Sequence, residues 1–184
     1  DLEVFTDISI EKDYFLDILK KQAVVNPNIK FIFRYQDEIG NFEETVFLYE
    51  NGISDYVAEI VGSDNLTSIQ TWSAERKGKD REDKPEYKVK LNVSVTFSNK
   101  VKFAEYYHNS SFLEYGGSPE KAVRQAFVSQ IDSYLKQNNK YLKNESKIAF
   151  VDVEDCLVLV SSSFSTQTSY ENQTKKAITN KFIY

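Results

Sequence analysis

The sequence predicts a mixed α+β fold, with strands in pairs and helices between them, and three stretches carry that prediction. Residues 89–97 alternate apolar and polar side chains one by one, the period of a strand. From Ser118 onward a stripe of Val123, Phe127, Ile131, Tyr134 and Leu135 recurs at helical steps. Residues 29–49 hold two short apolar runs around a polar, glycine-containing segment, which reads as a hairpin.

Taken in order, residues 11–24 place Tyr14, Phe15, Ile18 and Leu19 on one helical face, and Asn26-Pro27-Asn28 stops the helix. Ile29–Phe33 and Thr45–Tyr49 form the hairpin, and Asn51-Gly52 ends it. Ile53, Tyr56, Val57 and Ile60 are spaced for a short helix packed on that hairpin. Nearly every residue from Arg76 to Glu86 is charged, so this stretch reads as a solvated turn between two strands. In the strand after it, Val89, Leu91, Val93, Val95 and Phe97 define an apolar face, while the opposite face is wet or meets a partner. Val101–Tyr107 is a further strand, and Asn109–Gly117 is a loop. Ser118-Pro119-Glu120 opens the long helix with a capping hydroxyl, a first-turn proline and an acid that opposes the helix dipole. A polar loop covers 137–146, a short helical turn covers 152–155, and Leu157–Val160 is a buried strand beyond which the chain turns polar.

Composition narrows the function classes. The 184 residues suit one domain, and no apolar run approaches the roughly 18 residues that a membrane span needs. Asp1-Leu2-Glu3-Val4 lacks the basic start of an export signal, so a soluble, cytoplasmic protein is expected. The lack of any methionine suggests a piece of a larger gene product. One cysteine, Cys156, and one histidine, His108, offer neither an internal disulfide nor a metal-ligand set, and no metal site is expected. His108 reads as a surface or capping group, Cys156 as a small buried residue. The net charge of −5 is uneven: residues 1–70 hold five basic and fourteen acidic side chains, net −9, which leaves +4 for the remainder. That second part could face DNA phosphates without gripping them tightly. There is no phosphate-cradling glycine loop and no nucleophile elbow.

The end of the chain is more specific. Tyr170-Glu171-Asn172-Gln173-Thr174-Lys175 places a Gln-Thr-Lys loop a short polar step after a strand. Upstream lie the acidic turn Asp152–Asp155 leading into Cys156-Leu157-Val158, Asn109 followed by Gly116-Gly117 and a long helix, and Phe47-Leu48-Tyr49-Glu50-Asn51-Gly52-Ile53; downstream lies Asn180. In this order the segments resemble the transducer domain of ATP-dependent type IIA DNA topoisomerases, the gyrase B and topoisomerase IV B family, over almost the whole chain. Departures mark a divergent member. Tyr115-Gly116-Gly117-Ser118-Pro119 stands where that family usually has an acid, two glycines, threonine and histidine; Asn172 replaces a glycine; Lys176-Ala177 replaces threonine and lysine.

The resemblance implies that residues 1–184 are a single transducer domain with a two-layer α+β fold, a mixed sheet packed against helices and a left-handed βαβ unit. It implies a GHKL-type ATPase domain before the chain and a TOPRIM domain after it. By the same resemblance Lys175 is the catalytic lysine that reaches the γ-phosphate of ATP, Gln173 adds a second ATP contact, and Thr174 shapes the loop. ATP and Mg2+ would be held mainly by the ATPase domain. The implied partners are DNA, a gyrase A-type subunit and a second gyrase B-type chain in a homodimer, with no membrane. Lys136, Lys140, Lys143 and Lys147 are candidates to face the transported DNA. Alone, the domain is expected to be inactive. The alternative reading is a non-catalytic DNA- or protein-interaction domain of the same ancestry.

Overall fold

The computed structural model describes residues 3–4 and 10–184. Asp1 and Leu2, which entered the export-signal reading, lie outside the described residues. Helix α1 (Lys12–Val25) leads into the hairpin β1 (Phe31–Gln36) and β2 (Phe42–Phe47), and α2 (Ile53–Val61) follows. Next come the hairpin β3 (Gln70–Gly78) and β4 (Tyr87–Phe97), then β5 (Phe103–His108) and the short β6 (Ser111–Phe112). Helices α3 (Ser118–Gln137) and α4 (Phe150–Glu154) lead to the last strand, β7 (Leu157–Ser165).

Two sheets result: β1-β2 alone, and a five-stranded sheet in the order β3-β4-β7-β5-β6. Strand β7 runs antiparallel to β4 and parallel to β5, so the sheet is mixed. Because β5 and β7 are parallel neighbours, the chain between them must cross over, and α3 and α4 make that crossing; this is a βαβ unit.

Alternation along β7 sorts the core. Val158 and Val160 point to one face and pack with Tyr107 against Ala23 and Val24 of α1 and Tyr56, Val57 and Val61 of α2. Leu157 and Leu159 point to the other face, where Tyr106, Leu113 and Ile178 gather with Val123 and Phe127 of α3 and Phe150 of α4. Helices on one side alone would leave the other face of β7 wet; here both faces are covered, so the four residues Leu157–Val160 are all buried. That double coverage is why this segment is apolar without alternation.

Several expectations shift. The expected face of α1 is mostly open: Tyr14 is 59% exposed, and only Ala23 and Val24 in the last turn are buried. The start of α1 rests on the two-stranded hairpin, through Phe15 stacked on Phe33, and that hairpin is too small to cover it. In α3 the stripe is half-buried and Tyr134 is exposed. The polar face of β4 divides: Lys90 and Asn92 are exposed, whereas Ser94 and Thr96 are buried on the α2 side. Strand β7 also continues past Val160 to Ser165, because Ser161, Ser163 and Ser165 are small enough to be buried between backbone neighbours. Cys156 is half-buried, with its thiol directed at the Val153 carbonyl.

Candidate functional site

The segment after β7 returns on itself. Tyr170 and Ile178 form an antiparallel bridge, Glu171 N donates to Ala177 O at 3.0 Å, and Thr179 N donates to Ser169 O at 2.8 Å. These bonds close a loop whose stems are residues 169–171 and 177–179. Its second stem is deeply set, since Ala177 and Ile178 are each 1% exposed.

Residues 115–118 and two asparagines, Asn180 and Asn109, hold the base of this loop. Gly117 forms a parallel bridge with Ile178, Ser118 N donates to Ile178 O at 2.9 Å, and Tyr115 N donates to Lys176 O at 2.9 Å. Gly117 has φ of 84°, and a Cβ there would lie 2.8 Å from Ile178 N and closer still to its carbonyl oxygen, so only glycine permits this approach. The Ser118 hydroxyl, expected to cap its own helix, instead donates to Ile178 O at 3.3 Å. Asn180 is fully buried; its Oδ1 accepts from Ser169 N at 2.8 Å, and its Nδ2 donates to Gln167 O at 3.2 Å and to the Tyr87 hydroxyl at 3.1 Å. Asn109 works in the same way at the end of β7: its Oδ1 accepts from Ser165 N at 3.0 Å, and its Nδ2 donates to Thr168 Oγ1 at 3.0 Å. Asn109 and Gly117, some sixty residues upstream, thus meet Asn180 at one loop base.

The tip, 171–175, is exposed. Asn172 Oδ1 accepts from both Thr174 N (3.2 Å) and Thr174 Oγ1 (2.5 Å), and Lys175 N donates to Asn172 O at 3.3 Å. Lys175 takes a left-handed φ of 58°, a conformation unfavourable for a side-chain-bearing residue. The two adjacent lysines then part company. Lys176 Nζ pairs with Glu114 Oε2 at 2.5 Å, which holds its ammonium above the usual lysine range and the Glu114 carboxyl below the usual carboxylate range. Lys175 Nζ lies 5.6 Å from the Tyr170 ring centre and makes no ion pair among the described residues. An uncommitted ammonium on a rigidly based loop, with the exposed Gln173 amide two residues away, can donate to an incoming oxyanion at no cost in broken ion pairs.

His108 corrects its expected surface role. It is fully buried at the end of β5, with Nδ1 2.8 Å from Ser163 Oγ and Nε2 2.9 Å from Thr168 Oγ1. Ser163 Oγ donates to Tyr107 O, so the imidazole carries its proton on Nδ1 and accepts at Nε2. Burial pushes its pKa down from 6.5 to about 4. A folded-state value below the unfolded one means that stability is full above the unfolded pKa and is lost as pH falls through that interval. The denaturant midpoint is therefore expected to drop between pH 6.5 and pH 4. In His108→Leu that component of the pH slope should vanish, even though the variant starts from a lower midpoint.

The other candidates lie elsewhere. Lys136 is near the far end of the 20-residue α3, about 27 Å along the axis from Ser118. Lys136 and Lys147 converge on the buried carboxylate of Asp132, at 2.8 and 3.4 Å, and the Tyr141 hydroxyl donates to the same side chain at 2.9 Å. Lys140 and Lys143 are exposed and take no ion pair among the described residues. Among the described residues, no group of three His, Cys, Asp or Glu side chains is placed to hold a metal ion, and no helix is long and apolar enough to cross a membrane.

Sequence and fold are similar to those of known proteins. A family model described as DNA gyrase B matches residues 52–184. The DNA gyrase B protein of Mycoplasmoides gallisepticum is 24% identical over 187 residues, covering 98% of this chain and 28% of that protein. Its counterpart in Chlamydia muridarum is 24% identical, covering 100% of this chain and 22% of its own length. The chain thus spans about a quarter of these relatives. Among solved structures, the 43K ATPase domain of Thermus thermophilus gyrase B, in complex with an aminocoumarin, superposes with a TM-score of 0.62 at 20% identity, over 100% of this chain and 46% of that one. The topoisomerase IV ATP-binding domain of Francisella tularensis, in complex with a small-molecule inhibitor, gives a TM-score of 0.65 at 18% identity, over 100% of this chain and 46% of that one. At these identities the structural likeness concerns the fold.

Proposed function

The chain belongs to the DNA gyrase B family, and from that premise we propose that it is the transducer domain of a type IIA DNA topoisomerase, in which the 173–175 loop senses nucleotide bound by an adjacent ATPase domain. The observation that carries the proposal is the contrast between Lys175 and Lys176. One ammonium is tied to Glu114, and the other is held out on a pinned loop without an ionic partner among the described residues.

In this reading the nucleotide supplies the phosphoanhydride bond, and the chain supplies positioned charge. Lys175 presents a compact cation to the terminal phosphate, where negative charge builds as the bond breaks. Gln173 adds a neutral donor, and Thr174, through Asn172, fixes the turn that separates them. The donor set suits phosphate oxygens. Among the described residues no group of three acidic or histidine side chains is placed for Mg2+, which would be held by the ATPase domain. Because ADP lacks the group that Lys175 holds, ATP favours one arrangement of the two domains by that contact energy. Through this difference the domain would couple ATP turnover to closure of a DNA gate in a dimer of gyrase B-type chains working with a gyrase A-type subunit in the cytoplasm. Alone, it would catalyse nothing. The decisive experiment is ATP turnover by Lys175→Ala in the polypeptide that also carries the ATPase domain.

For DNA, the reading narrows to Lys140 and Lys143, since Lys136 and Lys147 already neutralise Asp132. The Lys140→Glu, Lys143→Glu double variant is expected to lower the salt dependence of duplex binding by about two in the log–log slope, one for each lost phosphate contact. An unchanged slope with an unchanged circular-dichroism spectrum would remove both residues from the DNA surface.

A further inference from the structure

The tip of the β3–β4 hairpin, read from sequence as a solvated turn, has one acid that behaves unlike its neighbours. Lys79 pairs with Glu82 at 2.6 Å, Arg81 with Asp83 at 3.0 Å, and Lys77 with Glu86 at 3.2 Å, all at the surface. Asp80 instead turns inward. Its Oδ1 accepts from the Tyr87 hydroxyl at 2.5 Å and from the backbone amide of Phe182 at 2.8 Å.

From Asp80 a continuous set of hydrogen bonds reaches both stems of the 173–175 loop. The Tyr87 hydroxyl, which directs its O–H at Asp80, accepts from Asn180 Nδ2 at 3.1 Å. Asn180 in turn holds Ser169 N on the first stem and Gln167 O just before it, while Ser169 O receives Thr179 N from the second stem. Apolar packing supports the same junction. The Tyr87 and Phe182 rings meet edge to face with centroids 5.7 Å apart, and a side chain at Gly78 would strike the Phe182 ring. Tyr87 is 3% exposed and Asn180 is fully buried, so water cannot readily replace these partners.

We infer that Asp80 is a positioning residue for the Gln173–Lys175 loop: by fixing Tyr87 and Phe182 it holds Asn180, and through Asn180 it sets where the loop stands. The functional half of this inference rests on the reading that the loop contacts the terminal phosphate. The positional half is independent of nucleotide. Asp80 touches no substrate. Its effect passes through the stems, where a displacement of about 1 Å is enough to cost a well-aligned contact much of its worth.

The test uses the polypeptide that joins this chain to its ATPase domain. In Asp80→Ala without nucleotide, hydrogen exchange at the Ser169 and Phe182 amides is expected to quicken at least tenfold. With ATP, kcat per folded molecule is expected to fall about tenfold while KM stays within twofold; because a smaller folded fraction would also lower apparent kcat at constant KM, the folded fraction is fixed by circular dichroism at the assay temperature. Asp80→Asn keeps the Oδ1 acceptor and should restore most of both. Should Asp80→Ala not fold, Tyr87→Phe removes only the bridging hydroxyl and is read by exchange at the Ser169 amide and by kcat, the Phe182 amide keeping its bond to Asp80. Parental exchange and parental kcat in the variant that folds overturn the inference, as does a loss that asparagine fails to restore. A slow Lys175→Ala beside a normal Asp80→Ala overturns the positioning role of Asp80 alone. A Lys175→Ala at the parental rate overturns the nucleotide reading, leaving the exchange result to decide the positional half.

Discussion

Lys175→Ala is expected to slow ATP turnover about a hundredfold in the polypeptide that carries the ATPase domain. Removal of one preorganised contact to developing charge typically costs about 3 kcal/mol, which corresponds to that factor. The side chain is exposed and makes no ion pair among the described residues, so its loss should leave the melting temperature nearly unchanged. The effect should fall mainly on kcat, because the contact strengthens as charge gathers on the terminal phosphate. Lys176→Ala is the matched control: it removes an equal charge one residue away, but one already spent on Glu114, and turnover should stay within about threefold. Parental turnover in both variants would show that neither lysine senses nucleotide.

The second large effect is on stability. Gly117→Ala should cost about 3 kcal/mol, because two penalties coincide at this residue. Its φ of 84° lies in the region that disfavours any residue with a Cβ, and the new methyl group would press on the backbone of Ile178 rather than on a side chain able to move. Relief requires the 177–179 stem to lift, which breaks the bonds from Ser118 N to Ile178 O and from Tyr115 N to Lys176 O. The loop therefore moves with the fold, so the variant should lose ATP turnover even at temperatures where it remains folded. Gly62→Ala is a useful comparison. Gly62 also has positive φ, at 54°, but no atom lies within 4 Å of the added carbon, so the loss should be near 1 kcal/mol. Equal denaturant midpoints for the two variants would show that the close approach to Ile178 carries no weight.

The strands and helices that form one regular period were legible in the sequence. The alternation in β4, the stripe of α3 and the apolar run at the start of β7 each appear where expected. What was not legible follows from partners distant in sequence. Ser161, Ser163 and Ser165 look like the polar end of a strand until β4 and β5 are seen to flank them, and His108 looks like a loop residue until Ser163 and Thr168 are seen to enclose it. The Ser118 hydroxyl has a helix start to cap on local grounds, yet the tail offers the carbonyl that it uses. At the loop the sequence marked Gln173, Thr174, Lys175, Asn109, Gly117 and Asn180 only through resemblance, with no indication that the last three meet at its base. Asp80 carried no signal at all, because a turn crowded with charges gives no hint of which acid faces inward. The distinction between Lys175 and Lys176 also waited on Glu114, which lies more than sixty residues upstream of both.

Gly117 and Ser118 belong both to the cradle of Ile178 and to the first turn of α3, so that helix and the tail stem share one joint. The helix is 20 residues long, which makes it a rigid arm of about 30 Å. A tilt of about 5° at the joint, too small to break a hydrogen bond, would swing the opposite tip by about 2.6 Å over that length. The arm ends beside Lys140, whose amide is bonded to Leu135 O in the last turn, so a tug on the loop would register as sideways travel of positive charge about 30 Å away.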